Sequence, residues 1–467
     1  MEQNSHLWPE EALCSYLCDL KYEDLSEKTV HYTKLLFADY FASAAAGSIV
    51  NKPSNKIVSQ VYKSIDPMRD CHVLYSADRL SGPNCAAVNA FLAHGADMDD
   101  GHRVMGGHPG APVLSALLAA AEKESSKTPV SGKQLILAAV CGYEAMIRIG
   151  AAVQPEHVGK GFHATCTVGG AGAAVACAKL MNFDSARMRN ALSLALVHAS
   201  GLMTVTETAQ STKPLNASDG ARTGYMCALF AKNGLIGPDN VLMSPKGFMH
   251  AFGGDPGRIS FVLTGIGKDM AINGCYMKQY PTCRATHAGA EAMIALRVQI
   301  GDAFNIERIR LHIYPRAIGI AGDERNRVPQ NGENAKFSLA FAVADAFFTG
   351  TISLEDVAEF DTDRMALILK LCEKVEYIPD PTTEDVMHGR RGCWLEVILK
   401  NGVVLKKEIV IPKGDPEAPL DWADMKRKYL LCVLPLIGEA KTEELFQLVS
   451  SLDECSRIER FVELLTR

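Results

Sequence analysis

The chain has 467 residues, of which 48% are hydrophobic and 22% charged, and its formal net charge is −6. One hydrophobic core rarely supports so long a chain, so we expect two domains with ample apolar surface to bury. The charges form no long run of one sign, which argues against a nucleic-acid footprint and a basic membrane-binding surface. We therefore expect a small-molecule or protein partner, no nucleic acid and no membrane.

The sequence shows no signal for export or for membrane insertion. The segment MEQNSHLWPEEALC lacks the basic and apolar regions of a signal peptide, and no apolar run approaches the roughly 20 residues of a membrane span. The fourteen cysteines lie mostly in apolar segments and form no CxxC pair, as expected of reduced core residues. We therefore expect a cytoplasmic protein, with an organelle as the alternative.

Helical periodicity dominates the first 270 residues. Segments rich in alanine and leucine, with few β-branched runs, recur along this region. They predict helices over residues 26–48, 85–97, 111–124, 133–150, 166–182, 185–200 and 219–233. We expect this region to be an all-helical domain.

The pattern changes after Gly274. Residues Ile306–Pro315 alternate apolar with charged side chains, as in a half-buried strand. Residues Trp394–Pro412 contain two alternating runs joined by Asn401-Gly402, which is the preferred sequence of a type I′ hairpin turn. Helical segments lie between these strands, and the last 55 residues are again helical.

The predicted fold is therefore mainly α with an α+β part. We assign residues 1–274 and 413–467 to a large helical domain built from both chain ends. Residues 275–412 form the α+β domain. If the C-terminal helices rejoin the helical domain, the α+β unit is an insertion into it.

The segment HGADMDDGHRVMGGHP, residues 94–109, is unusually dense in chemistry-bearing side chains. On a helix ending near Gly101, three of them, His94, Asp97 and Asp100, would share one face. Asp99 would point elsewhere, and the glycines beyond would let the chain turn and expose His102 and His108. For Asp99 and Asp100 we expect a solvated acidic turn, whereas Asp97 and His108 are candidate catalytic residues.

Three other segments carry candidate site residues. His163 precedes a glycine- and alanine-rich helix, whose glycines do not complete GxGxxG and instead favour close helix packing. Lys213 lies in a predicted polar loop between a helix ending near Ser200 and one starting near Asp219, where it could bind a carboxylate or tune a proton transfer. The segment MKQYPTCRATHAGAEA supplies further cations, which could bind a carboxylate or bridge the two domains. These cations are Lys278, Arg284 and His287.

The order of these motifs resembles the MmgE/PrpD family nearly end to end. The motifs are HGADMDDGH with GHPGAPV, GYEAMIRIG, GFHATCTVGGAGAA, TKPLNASDGARTG, SPKGF and KQYPTCRATHAGAEA. The resemblance implies a helical domain built from both chain ends, an inserted α+β lid, a homodimer and cofactor-free chemistry on di- or tricarboxylic acids. Family members include 2-methylcitrate dehydratase, cis-aconitate decarboxylase and iminodisuccinate epimerase.

The resemblance also implies roles for individual residues. The catalytic candidates that it carries over are Asp97, His108, His163 and Lys213. Of the substrate-binding candidates, the resemblance matches Lys278, and the residue types of the same segments add the others. These candidates are His102, Arg103, Lys278, Cys283, Arg284 and His287. Decarboxylase-like members have a threonine at the position of Gly101, a histidine at that of Cys283 and a lid tyrosine for which Ile318 or Gly319 falls nearest. These departures weaken the cis-aconitate decarboxylase interpretation.

Dehydration, decarboxylation or epimerisation of such an acid needs cations for its carboxylates and groups that move a proton at the adjacent carbon. We expect His108 and Asp97 to form the acid–base pair, with the aspartate orienting the imidazole. Lys213, His163 and Arg284 would bind carboxylates, and His163 or Lys213 could alternatively donate a proton. The sequence predicts a lyase first and a dicarboxylate epimerase as the alternative.

Two other classes of protein fit less well. A metal-dependent hydrolase has capable ligands in the acidic segment, but the sequence contains no HExxH or comparable spacing, so we expect no metal. Those ligands would be His94, Asp97, Asp100, His102 and His108. A non-catalytic scaffold gives no reason for the concentrated histidines, aspartates and cations.

Overall fold

The computed structural model describes residues 7–206, 210–385 and 389–466. Helices make up most of these residues, and strands are concentrated after residue 274. The α-helices are α1 Pro9–Asp19, α2 Glu27–Val50, α3 Lys52–Ile65, α4 Gly82–Gly95, α5 Gly110–Ser125, α6 Gly132–Ala152, α7 Glu156–Gly159, α8 Ala164–Thr167, α9 Gly169–Leu180, α10 Ser185–Val197, α11 Lys213–Lys232, α12 Phe248–Phe252, α13 His287–Ile300, α14 Pro315–Ala321, α15 Glu324–Arg327, α16 Gly332–Lys336, α17 Leu339–Thr349, α18 Leu354–Ala358, α19 Asp363–Cys372, α20 Trp422–Cys432, α21 Leu434–Ile437, α22 Glu439–Ser450 and α23 Glu459–Leu465. The β-strands are β1 Cys71–His72, β2 Arg79–Leu80, β3 Gly101–His102, β4 Cys275–Tyr276, β5 Ile306–Ile313, β6 Val375–Pro379, β7 Glu384–Asp385, β8 Arg390–Arg391, β9 Cys393–Leu399 and β10 Val404–Ile409.

The helical region is built on small residues that let helices approach closely. A Cβ on Gly47 of α2 would overlap the carbonyl group of Leu92 in α4, and one on Gly172 of α9 would meet Met146 of α6 at 2.7 Å. The predicted helices correspond to α2, α4 to α6 and α8 to α11. The prediction of an all-helical region was wrong in detail, because β1 pairs with β2 and β3 pairs with β4.

Helix α6 is long and apolar enough, by length and composition alone, to cross a membrane. The sequence predicts a helix here, over residues 133–150, but no apolar run of membrane-spanning length, because Glu144 and Arg148 interrupt its apolar character. In the structure, 94% of the most apolar 18-residue stretch of this helix is buried inside the protein. Glu144 and Arg148 form a buried ion pair at 2.7 Å, as expected for charged residues of a helix inside a protein core.

The α+β region is a four-stranded sheet in the order β10-β9-β5-β6. Strand β5 pairs in parallel with β6 and antiparallel with β9, and the buried side chains of β5 confirm the predicted alternation. Helix α13 packs on β9 and β10, and α17 packs on α13 and α19.

The hairpin joining β9 and β10 is confirmed, but its predicted turn type was wrong. A type I′ turn needs positive φ at both central residues. Here Gly402 has a φ of +85° and Asn401 is not among the described residues with positive φ. The amide of Gly402 instead donates to the carbonyl of Leu399 at 2.9 Å, which makes a three-residue loop with glycine at the left-handed position.

Two separate hydrophobic cores organise these elements. One contains buried residues from 13–277 together with 420–465, and the other contains residues 280–399. The C-terminal helices therefore complete the first core. These cores support our proposed division into a helical domain, 1–274 and 413–467, and an α+β lid, 275–412.

Lys428 of α20 ties the C-terminal helices to the middle of the helical core. Its ammonium group is buried and donates to Asp39 of α2 at 2.6 Å and to the carbonyl groups of Met98 and Lys278, both at 2.9 Å. Burial raises the pKa of Asp39 to about 6, although Lys428 lowers it. This contact joins both chain ends to the segment that carries the aspartates.

We expect Lys428→Met to lower the free energy of unfolding by about 3–5 kcal/mol, because it leaves a buried carboxylate without its cation. Denaturant unfolding followed by circular dichroism measures this change. Lys426→Met on the same helix is the control, since Lys426 forms a partly exposed pair with Glu443 and should cost less than about 1 kcal/mol. Equal stabilities of the two variants would contradict the role given to Lys428.

Candidate active site

A cleft lies between the helical core and the lid, with an empty volume of about 790 Å³ out to its open mouth. Side chains from both regions line it, and nine of the ten predicted site residues are among them. These nine are Asp97, His102, Arg103, His108, His163, Lys213, Lys278, Cys283 and Arg284. The structure does not bring His287 to the cleft surface, because that side chain is fully buried.

The acidic segment does not continue the preceding helix. Helix α4 ends at Gly95, whose carbonyl group accepts hydrogen bonds from Asn51 at 2.9 Å and Lys336 at 2.8 Å. These side chains satisfy a carbonyl group that the helix end leaves free. The prediction that His94, Asp97 and Asp100 share one helix face was therefore wrong.

Asp97 adopts a left-handed backbone conformation, with a φ of +51°. Such a conformation costs a residue with a Cβ about 1–3 kcal/mol, so surrounding contacts must hold it. Its carboxylate pairs with Lys213 and, at 3.3 Å, with Lys278, whose ammonium group also donates to the Asp97 carbonyl at 2.6 Å. The strained backbone thus places one carboxylate between two buried lysines.

These lysines keep the buried carboxylate ionised. Burial raises the pKa of Asp97, but the charges of Lys213 and Lys278 outweigh it and hold the pKa well below its ordinary value. Lys213 is the first residue of α11, so the predicted loop there was wrong. A cation at a helix N-terminus faces the positive end of the helix dipole, and Asp97 offsets that repulsion. One carboxylate for two ammonium groups leaves an excess positive charge in the cleft.

His108 is oriented by groups other than the predicted Asp97. Its Nδ1 lies 2.7 Å from the carbonyl oxygen of Asp100 and 3.6 Å from a carboxylate oxygen of Asp99. A carbonyl can only accept, so Nδ1 carries the proton and Nε2 keeps its lone pair. Burial holds the pKa of His108 well below its ordinary value, whereas Asp99 raises it. His108 is therefore a neutral imidazole with a basic nitrogen.

Asp99 and Asp100 are buried, so the predicted solvated turn was wrong. Asp99 accepts from Nδ1 of His94 at 2.8 Å, and the rings of His94 and His108 lie 4.6 Å apart. Asp100 accepts from the hydroxyl of Tyr143 at 2.9 Å and from the amide of Gly110 at 2.8 Å. The turn is a hydrogen-bonded support beneath His108.

His163 is held at both ring nitrogens. Its Nδ1 lies 2.8 Å from the amide nitrogen of Asn216, and its Nε2 lies 3.0 Å from the hydroxyl of Thr165. That hydroxyl also accepts from the backbone amide of His108 at 3.1 Å. Burial, followed by the charge of Lys213, holds the pKa of His163 well below its ordinary value. A neutral ring so fixed can shape the cleft, and transferring a proton requires it to break one of these bonds.

The five ligands considered for a metal do not converge. Asp97 binds lysines, Asp100 binds Tyr143, and the Nδ1 of His102 accepts from the amide of Met105 at 3.2 Å. Among the described residues, a different trio, His94, Asp99 and His108, has donor atoms within 4.8 Å of one another. Two members of this trio are already joined by a hydrogen bond, so we assign it to orienting His108.

The other predicted residues surround the cleft in different ways. Burial lowers the pKa of His102 to about 3, and Arg103 forms an ion pair with Glu417 of the segment after the lid. Cys283 lines the cleft, and burial raises the pKa of its thiol.

Arg284 is committed to protein contacts. Its guanidinium donates to the carbonyl groups of Lys413 at 2.9 Å and Pro412 at 2.8 Å, where the chain leaves the lid. His287 lies behind it, with Nδ1 3.2 Å from the guanidinium and its ring 5.0 Å from that of Tyr280.

Five cleft residues with polar side chains were not predicted from the sequence. They are Thr206, Tyr276, Tyr314, Arg316 and Arg391. Tyr314 directly follows β5 and supplies a lid tyrosine, whereas the sequence analysis looked for one near Ile318 or Gly319. The end of the apolar alternation at Ile313 was the available signal. Arg391 lies far along the chain on a two-residue strand and had no local signal.

Two family models match the chain. The MmgE/PrpD N-terminal domain matches residues 11–258, and the MmgE/PrpD C-terminal domain matches residues 280–454. Together these matches cover most of both cores.

Curated relatives align along nearly the whole chain. A cis-aconitate decarboxylase-like protein, oryM, of Aspergillus oryzae is 25% identical, covering 97% of this chain and 96% of that protein. A cis-aconitate decarboxylase of Aspergillus terreus is also 25% identical, covering 97% of this chain and 95% of that protein. The human cis-aconitate decarboxylase is 25% identical over 95% of this chain and 92% of its own.

We expect the activity to persist in mild acid. An unperturbed histidine gains a proton near pH 6.5, but the pKa of His108 lies well below that value, so its basic form is retained as the pH falls. The kcat/KM of the enzyme, measured from pH 4.5 to 8, should therefore decline only well below pH 6.5. A decline centred at 6.5 and abolished in His108→Gln would contradict this assignment.

We expect Asp99→Asn to lower kcat about 10–100-fold with little change in KM. The substitution weakens His108 as a base but removes no contact to a substrate carboxylate in the cleft. Because Asp99 raises the pKa of His108, its loss should also move the acid limb of the pH profile to lower pH. Asp99→Glu should recover part of the activity. Asp239→Asn at an exposed ion pair is the control, and an unmoved acid limb would refute the role of Asp99.

Proposed function

The chain belongs to the MmgE/PrpD family, and from this premise we propose that it is a lyase acting on a di- or tricarboxylic acid. The reaction class is dehydration, as in 2-methylcitrate dehydratase, or decarboxylation, as in the relatives named cis-aconitate decarboxylase. The observation that carries the proposal is a single carboxylate, Asp97, shared by Lys213 and Lys278 in the cleft that His108 also lines.

The lysines bind and activate the substrate. Lys213 and Lys278 carry one positive charge more than Asp97 neutralises, so they attract a substrate carboxylate. When a proton leaves the adjacent carbon, negative charge spreads onto that carboxylate, and the same ammonium groups stabilise it. Their burial removes competing water and strengthens the attraction.

His108 moves the proton. In dehydration its Nε2 takes the proton from the carbon next to the carboxylate, the electron pair forms the double bond, and the hydroxyl group leaves with a proton from the cleft. In decarboxylation the bond to the leaving carboxylate breaks, CO₂ departs, and the carbon takes up a proton. The neutral imidazole of His108 is the base in dehydration, whereas in decarboxylation an ammonium group such as that of Lys213 would supply the proton.

Epimerisation of a dicarboxylic acid such as iminodisuccinate is the alternative within the family. It uses the same proton abstraction but returns a proton to the opposite face. Gly101 and Cys283 stand where decarboxylase-like members have threonine and histidine, and Cys283 lines the cleft. The two chemistries are separable by their products.

We expect incubation with a panel of acids in D₂O, followed by proton NMR, to show loss of water or of CO₂ from one of them. The panel contains citrate, 2-methylcitrate, cis-aconitate and iminodisuccinate. A new alkene signal without loss of carbon identifies a dehydratase, and loss of CO₂ identifies a decarboxylase. Deuterium exchange with inversion and no new alkene would replace the lyase by an epimerase.

His108→Gln should lower kcat at least about 100-fold, because general acid–base catalysis typically contributes 10²–10⁴-fold. Lys213→Met should instead raise KM as well as lower kcat, since it removes a carboxylate contact. Lys426→Met, which does not line the cleft, serves as the control for both. If no acid in the panel reacts with the wild-type enzyme, the proposed function is wrong.

A further inference from the structure

The cations around the cleft are neutralised unevenly. Arg103 pairs with Glu417 and Arg316 pairs with Glu384, so each of these rim arginines has its own carboxylate. The two lysines beside Asp97 share one carboxylate, as described above.

A second pair of cations, on the lid side of the cleft, also shares one carboxylate. Arg391 donates to Asp415 at 2.8 Å, and Arg284 lies 3.3 Å from the other oxygen of the same carboxylate. In each of the two shared pairs, two cations therefore contact one carboxylate. Glu291 also faces Arg284 on the lid side, but burial raises its pKa to about 7, so it is an incomplete counter-charge.

Arg391 is the member of the lid pair that is available to a ligand. The guanidinium of Arg284 already donates to two backbone carbonyl groups and contacts the ring of His287. Arg391 lines the cleft, is 9% exposed and has Asp415 as its hydrogen-bonded partner among the described residues. The Tyr276 ring supports it, with the guanidinium carbon 4.9 Å from the ring centroid. A guanidinium held in this way is suited to bidentate binding of a carboxylate.

Two tyrosine hydroxyls line the cleft with Arg391. Tyr276 and Tyr314 both line it, and neither hydroxyl has a hydrogen-bond partner among the described residues. The chain makes room for one of them, because a Cβ on Gly101 would overlap the hydroxyl of Tyr276. Both rings are nearly buried, so each hydroxyl has lost most of its contact with bulk water. A bound acceptor group would satisfy them.

We propose that Arg391, Tyr276 and Tyr314 form a second carboxylate subsite, separate from the one at Lys213 and Lys278. The inference rests on the proposed function and deepens it. The substrate carries a carboxylate remote from the reacting carbon, and this group binds the lid. An acid with a single carboxylate leaves the lid charge and both hydroxyls unsatisfied, so the enzyme selects di- and tricarboxylic acids.

The test compares the binding of two unreactive probes by titration calorimetry. Tricarballylate carries three carboxylates and butyrate carries one. The wild-type protein should bind tricarballylate at least 10-fold more tightly than butyrate. Arg391→Gln should weaken tricarballylate binding about 10–100-fold and leave butyrate binding within 2-fold, because charged hydrogen bonds of this kind are lost only for the remote carboxylate.

Three variants guard against a trivial loss of structure. Arg390→Gln changes the neighbouring residue of the same strand, which pairs with Glu408 outside the cleft, and should leave both affinities unchanged. Arg391→Lys keeps the charge and should recover part of the tricarballylate affinity. Tyr276→Phe keeps the ring under Arg391 and should weaken tricarballylate binding about 3–10-fold. Circular dichroism confirms that each variant is folded.

The outcomes separate this proposal from the proposed function. Equal weakening of both probes by Arg391→Gln, or an unchanged affinity for tricarballylate, refutes the subsite even if the wild-type enzyme converts an acid. Selective loss of tricarballylate binding supports the subsite even if every acid in the D₂O panel stays unreacted, in which case only the lyase assignment falls.

Discussion

The ion pairs of Asp97 with Lys213 and Lys278 are the contact on which the site depends. The three residues come from the loop after α4, the first turn of α11 and the segment entering the lid. Removing either lysine would leave the buried carboxylate of Asp97 with one positive partner instead of two. Removing Asp97 would leave two buried ammonium groups side by side without a counter-charge. The left-handed backbone at Asp97 is held by the same contacts. Charge balance therefore fixes both the shape of the loop and the position of the cations.

Much of the fold could be predicted because it follows from local periodicity. The alternation in β5 and in the β9–β10 hairpin fixes which side chains are buried, and the alanine-rich segments can only be helices packed at close range. The errors lie where a tertiary contact decides. Helix α4 stops at Gly95 because Asn51 and Lys336 bind its last carbonyl group, and Lys336 is 241 residues away.

The residue types of the site could be predicted, but their partners could not. The density of histidine and aspartate in residues 94–109 indicated chemistry, yet spacing alone assigned the orientation of His108 to Asp97. The structure gives that role to the Asp100 carbonyl group and to Asp99, because the positive φ of Asp97 turns its side chain toward the lysines. Tyr276 and Arg391 escaped notice since single residues in short strands carry no pattern.

Lys428 has a consequence for the order of events during biosynthesis. It reaches Asp39 across 389 residues of sequence, and it also holds the carbonyl groups of Met98 and Lys278. The ribosome synthesises the chain from its N-terminus. Helix α2 and the loop that carries Asp97 therefore emerge long before Lys428, which binds them both. The lid sheet, complete by Ile409, can form its own core first. Until α20 has been synthesised, the nascent helices lack part of their core and Asp39 lacks its cation, so the helical domain can be completed only after the lid has been synthesised.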